Sequence, residues 1–262
     1  MSAMPISTAS SPSRLNSRRL HKIFNLLLKH FGPRHWWPAD APWEMMVGAI
    51  LVQNTAWTNV QKAIASLKAA NALTLPQIAV MPRRHLEKLI RSSGFFRQKA
   101  KRLQNYARYL LKHPQFHRQL LGQASPPPPL PVGEGRRRRR RGEAVVHELR
   151  QRLLALDGIG PETADSILLY AGKYPIFVVD AYTRRMGQRI GLFKLERYSE
   201  IQAYFESALP RKVPLYNEFH ALIVMLCKTY CKKSDPRCEE CPLKTECQFG
   251  QKILRAQTRK AA

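Results

Sequence analysis

Apolar positions recur at helical spacing through most of the chain. Ile23, Leu26, Leu27 and Leu28 share a segment that begins between Arg14 and Ser17 and runs to Phe31. The same recurrence predicts helices over 44–52, 58–70, 83–90 and 98–111, with Pro76, Pro82 and Gly94 as punctuation. It resumes over 147–156, 161–171, 181–190, 199–209 and 215–228. No sustained apolar–polar alternation of the strand kind appears, so the chain reads as all-α.

The pattern fails at 123–142, QASPPPPLPVGEGRRRRRRG. Four consecutive prolines exclude a helix, and six consecutive arginines repel one another without an apolar face. This stretch predicts a solvated loop in which the arginines attract phosphate without sequence preference. Residues 36–43, WWPADAPW, form a Trp- and Pro-rich turn. Residues 1–14 read as a disordered tail and 251–262 as a basic one.

Charge narrows the partner. Lys and Arg number 44 against 18 Asp and Glu, a net charge of +26, which answers to a polyanion. The apolar fraction of 44% is enough for a core, and no apolar stretch approaches the ~18–20 residues of a membrane span. The start, MSAMPISTASSPSR, lacks the basic and apolar regions of a secretory signal. All five cysteines lie beyond residue 226, which fits a local metal site better than a disulfide framework.

The segment 156–171, LDGIGPETADSILLYA, is the densest in chemistry. Gly158 and Gly160 permit a tight turn with positive φ, and Pro161 suits the first turn of a second helix. Backbone N–H groups of such a helix–hairpin–helix make a site for a phosphate oxygen. Asp180 follows in IFVVDAYTRR, eighteen residues after Glu162. An N-cap is the common use of such an Asp. Beside a phosphate grip it can also stabilise a sugar oxocarbenium ion or position water against it.

L-x-G-x-G-x-x-T-A followed by V-V-D resembles the helix–hairpin–helix DNA glycosylases of the endonuclease III superfamily, over about residues 21–249. The resemblance implies two helical domains with double-stranded DNA across the cleft that they flank. It also implies extrusion of a damaged nucleotide and cleavage of its N-glycosidic bond. By position, Asp180 would be the essential aspartate, and Gly158 and Gly160 the phosphate-gripping glycines. Gln53 and Asn54, in ILVQNTAW, would be the polar wedge that fills the vacated base position. Lys99 and Lys101, in SGFFRQKAKRL, read as DNA contacts. The domains would be 15–40 with 177–250, and 41–176.

Cys231, Cys238, Cys241 and Cys247 have the spacing C-x6-C-x2-C-x5-C. Four thiolates of zinc are the generic reading, but one C-x2-C pair and unequal gaps fit the corners of a cubane better. The spacing is similar to the [4Fe–4S] loop of endonuclease III relatives, with the cluster structural. Cys227, on an apolar face, reads as a buried small hydrophobe.

Relatives that also cleave the strand have a lysine two residues after the second hairpin glycine. Glu162 stands there and cannot form an imine, which points to a monofunctional hydrolase. HWWP, QNTAW, SGFFRQKAKRL and GIGPETAD are most similar to the 3-methyladenine glycosylase III branch. That likeness assigns Trp36, Trp37, Trp57 and Glu162 to a base pocket, with Lys228 near it, where indole faces would hold a cationic methylpurine. Leu222 stands where a lysine of that branch is expected. The alternatives are a bifunctional glycosylase/lyase for oxidised pyrimidines and a non-catalytic phosphate anchor. The expected protein is a cytoplasmic, nucleoid-associated monomer.

Overall fold

The structure is a computed structural model that describes residues 14–123 and 135–261. Among the described residues there are thirteen α-helices and no strand. They are α1 (Arg14–Phe31), α2 (Pro42–Leu51), α3 (Trp57–Ala69), α4 (Leu75–Val80), α5 (Arg83–Leu89), α6 (Phe96–Lys112), α7 (Pro114–Leu120), α8 (Gly135–Leu154), α9 (Pro161–Ser166), α10 (Ala181–Ile190), α11 (Tyr198–Ala208), α12 (Val213–Thr229) and α13 (Gln248–Ala261). No helix among the described residues is long and apolar enough to cross a membrane.

Contacts divide the chain into two compact units, residues 37–176 and residues 1–36 with 177–262. In the first, α2 is the central helix. It is apolar on every side, and Met45 to Leu51 are all buried. Its one buried charge, Glu44, is paired with Lys68 at 2.8 Å. Helix α6 covers α2 with Ala100, Leu103, Ala107 and Leu110, the i, i+3, i+7, i+10 stripe of an amphipathic helix. In the second unit the same place is held by α12, on which α1 and α10 pack. Phe177 stacks on Phe205 in its core, and Phe219 meets both edge to face.

Three sequence expectations change. Residues 37–40 fold with the second half of their motif, in unit 37–176, because the Trp37 indole rests on Gly48 in α2. A Cβ on Gly48 would come within 3.3 Å of the Trp37 ring nitrogen. The arginine run is not in a loop, since α8 begins at Gly135 and includes Arg136–Arg141. Arginine is a good helix former, and burial of Leu149 and Leu153 anchors the same helix downstream. The basic tail from 251 is helical, within α13. The four prolines of 126–129 and the Ser- and Pro-rich tail through residue 13 lie outside the described residues.

Candidate active site and thiol cluster

Helices α8 and α9 are joined by a hairpin through Gly158 and Gly160. Gly158 has φ +79, a handedness that favours glycine, and a Cβ there would lie 2.0 Å from Arg102 Nε, so any side chain would displace Arg102. Gly160 differs from expectation. Its φ of −86 and ψ of 177 are open to any residue, and a Cβ there would meet nothing within 4 Å. The fold itself does not demand glycine at 160, whereas close approach of a ligand to the backbone would. Asp165, fully buried, accepts two hydrogen bonds from Arg150 at 2.6 and 3.1 Å and ties α9 to α8. Glu162 is exposed in the first turn of α9. The helix then widens into a π-helical turn over Ile167–Ala171.

Gln53 does not stand free as a wedge. Its amide donates to Gly158 O at 2.9 Å and Thr163 Oγ1 at 3.0 Å, and accepts from Arg102 at 2.8 Å. Asn54, next to it, is exposed with φ +54, a left-handed backbone that asparagine tolerates. Lys99 is also a correction. It is 1% exposed, and its ammonium donates to Leu51 O and Ser93 O at 2.8 and 2.7 Å, so it joins elements inside the unit. Desolvation pulls it down to about 8, with the Arg102 charge adding to the effect. Lys101 is exposed on α6.

Phe95 was not singled out by the sequence pattern. It is 66% exposed and has φ +45, directly after Gly94 at φ +67. A bulky residue in the left-handed region, with its ring in solvent, costs stability that folding alone does not recover. The available signal was the adjacent aromatic pair at the start of α6, of which Phe96 is half-buried and Phe95 exposed.

Trp37 meets Trp57 edge to face at 5.1 Å and Tyr170 at 5.4 Å, all in the unit 37–176. Trp36, half-buried, belongs to the other unit. Tyr170, from the π-helical turn, is the aromatic that the motif reading missed.

Asp180 caps α10. Its Oδ1 accepts from Thr183 N at 2.7 Å, and its Oδ2 faces His220 Nε2 at 3.5 Å. Burial pushes the carboxyl up. The hydrogen bond and charge of His220, with the Thr183 N–H, outweigh burial and hold Asp180 below its ordinary value. His220 is 5% exposed in α12, a polar side chain in an otherwise apolar row, which is the signal that could have singled it out. Lys228, at the end of α12, has its ammonium lowered by desolvation against the opposing pull of Asp180. Leu222 is fully buried in the core of its unit.

Cys231, Cys238, Cys241 and Cys247 are free thiols around one cavity, with Arg189 and Tyr230 on its wall. Arg189 donates to Cys231 Sγ at 3.4 Å, and Gly250 N–H donates to Cys247 Sγ at 3.3 Å. The Cys231 thiol is pulled down to about 6, first by the Cys227 hydrogen bond and then by Arg189, although burial opposes this. Among the described residues no three Cys, His, Asp or Glu side chains are drawn to the spacing of a single bound ion. Four sulfurs facing one space, with N–H donors aimed at two of them, match the donor chemistry of a larger thiolate-bound group.

An all-helical chain with a glycine hairpin and a capping aspartate after it defines the class. Residues 47–211 match the HhH-GPD superfamily of base excision DNA repair proteins, and the chain belongs to that family. It is a DNA N-glycosylase of the endonuclease III superfamily. A Methanocaldococcus jannaschii protein provisionally assigned as a DNA repair glycosylase is 39% identical over 229 residues, 87% of this chain and 95% of its own. Endonuclease III in a non-covalent complex with DNA has a similar fold, with TM-score 0.71 and 21% identity over 91% of this chain and 98% of that one. The 3-methyladenine DNA glycosylase of H. pylori, bound to 1,N6-ethenoadenine, is 29% identical with TM-score 0.60, over 80% of this chain and 95% of its own.

Proposed function

We propose that the protein is a monofunctional glycosylase that hydrolyses the N-glycosidic bond of an alkylated purine extruded from duplex DNA. The observation that carries this reading is Glu162, exposed in the first turn of α9 where a strand-cleaving relative needs an amine. A carboxylate there has no route to a Schiff base and adds negative charge suited to a cationic base. Trp37 and Trp57 supply indole surface for the same cation. Likeness to the H. pylori enzyme supports the substrate class.

In this reading a phosphate is taken by the backbone at Gly160, where there is room for it. Asn54 and Phe95 enter the stack, since both are exposed and apolar rings are common wedges between base steps. The alkylated base carries a positive charge and departs with the bonding electron pair, which neutralises it. Positive charge then develops on the sugar. Asp180, ionised, stabilises that charge and orients the water that adds at C1′, and its carboxylate takes the proton that the water loses. Cys231, Cys238, Cys241 and Cys247 would hold a [4Fe–4S] cluster that braces the chain between α12 and α13. No step of the hydrolysis uses it.

One observation favours a second reading. Lys228 has an amine made easier to deprotonate by desolvation, as a Schiff-base nucleophile requires, although the charge of Asp180 opposes the shift. Duplexes with single defined lesions, with and without alkaline cleavage and borohydride, test both. Release of 3-methyladenine with an intact abasic site and no borohydride adduct supports hydrolysis. An adduct on oxidised-pyrimidine DNA that disappears in Lys228→Ala supports the lyase.

A further inference from the structure

Arg102 on α6 lies directly behind the hairpin. Its Cδ, Nε and Cζ would all fall within 2.0–2.7 Å of a Cβ on Gly158, so the guanidinium packs against the glycine backbone. Its Nη1 donates to Gln53 Oε1 at 2.8 Å. The Gln53 amide then donates to Gly158 O on the hairpin and Thr163 Oγ1 on α9. Arg102 Nε is buried and makes no hydrogen bond among the described residues. A buried N–H donor left unused is costly to keep even on a half-buried side chain, so packing for stability alone does not account for it.

We propose that Arg102 is a positioning residue for DNA binding, acting through Gln53 to hold the hairpin and the turn that carries Asn54 as one body. Gln53 and Asn54 are neighbours in the turn after α2, so the bonds that fix Gln53 on the hairpin also set the backbone from which Asn54 projects. Phosphate grip and strand entry are thereby geometrically coupled. A lysine at 102 would keep the charge but lose the planar fork that packs on Gly158 while bonding Gln53. The inference rests on the hairpin being the phosphate site.

The test is the affinity of the full chain for an undamaged duplex, which does not depend on which lesion is excised. Arg102→Ala and Gln53→Ala should each weaken binding about tenfold, the scale of one charge-assisted hydrogen bond. The double variant should bind about as weakly as either single one, because one relay is broken in each case. Arg102→Lys should not restore affinity, and Asn105→Ala, exposed on the same helix, should leave it unchanged. The salt slope should also stay at its wild-type value, since Arg102 positions the hairpin without itself neutralising a phosphate.

Wild-type affinity in folded Arg102→Ala, losses that multiply in the double variant, or a slope reduced by one phosphate would overturn the proposal. If Arg102→Ala does not fold, Thr163→Val decides, since it deletes one acceptor of the relay and should cost about threefold. A bulky residue at Gly160 separates the two levels. Loss of binding there with none in Arg102→Ala removes the relay and keeps the hairpin, whereas no loss in either removes both.

Discussion

His220 Nε2 faces Asp180 Oδ2 at 3.5 Å, on the opposite oxygen from the one that caps α10. One oxygen therefore serves the helix, and the other is held in an electrostatic environment chosen by α12. The net effect lowers the Asp180 pKa despite burial. A carboxyl with a depressed folded pKa stabilises the fold above its ordinary value, and the contribution is lost as pH falls through the lower folded value.

Asp180→Asn should slow base release by about two orders of magnitude or more, the scale of losing a group aimed at developing charge. DNA affinity should stay close to wild type, because asparagine can still cap α10. His220→Leu leaves the Asp180 carboxyl buried without its partner, so its pKa should rise. The acid limb of the single-turnover pH profile should then move to higher pH, and an unmoved limb would disconnect the pair from catalysis.

Trp57→Ala should cost about 1–3 kcal/mol of transition-state stabilisation on an alkylated purine, the range of base–aromatic stacking. A neutral oxidised pyrimidine should lose less, having no cation–π contribution. Because Trp57 also supports Trp37, melting temperatures should be compared alongside the rates.

Phe95→Ala should keep or raise thermal stability, since an exposed ring on a left-handed residue contributes little packing. If the ring acts on DNA, base release from a fully paired duplex should fall while release from a mismatched site falls less. Equal loss on both substrates would count against a wedge.

Cys238→Ser removes one of four thiols around the cavity below α13. The wild-type protein is expected to be yellow-brown with broad absorbance and about four irons per chain. The variant should lose both colour and solubility. One zinc and no iron in the wild type would replace the cluster with a tetrahedral site.

Lys99 offers a pH test of the core. Its folded value of about 8 lies below the ordinary 10.5, so the folded state sheds the proton first. The burial penalty is present in full below about 8 and is relieved as pH rises toward 10.5. Melting temperature should gain from this group between pH 8 and 10, and Lys99→Met should remove that gain.

Sequence by itself determined what repeats along one element. The apolar stripes of α1, α3, α6 and α10, the hairpin glycine at 158, Asp180 before a helix, and the cysteine spacing are all local signals. Local spacing sets helical faces and turn handedness before any partner is chosen. Tertiary packing alone decided where polar side chains point. Gln53 and Lys99 look like surface residues in their motifs, yet Gln53 finds acceptors 105 and 110 positions away, Lys99 finds one 48 positions away, and both turn inward. Trp37 rests on Gly48 of α2, a contact that no local spacing announces. His220 lies forty residues after Asp180 on an apolar helix, and only the packing of α10 on α12 makes it the carboxylate's partner. A buried polar group must find a partner or pay for desolvation, and the partner is a property of the assembled core.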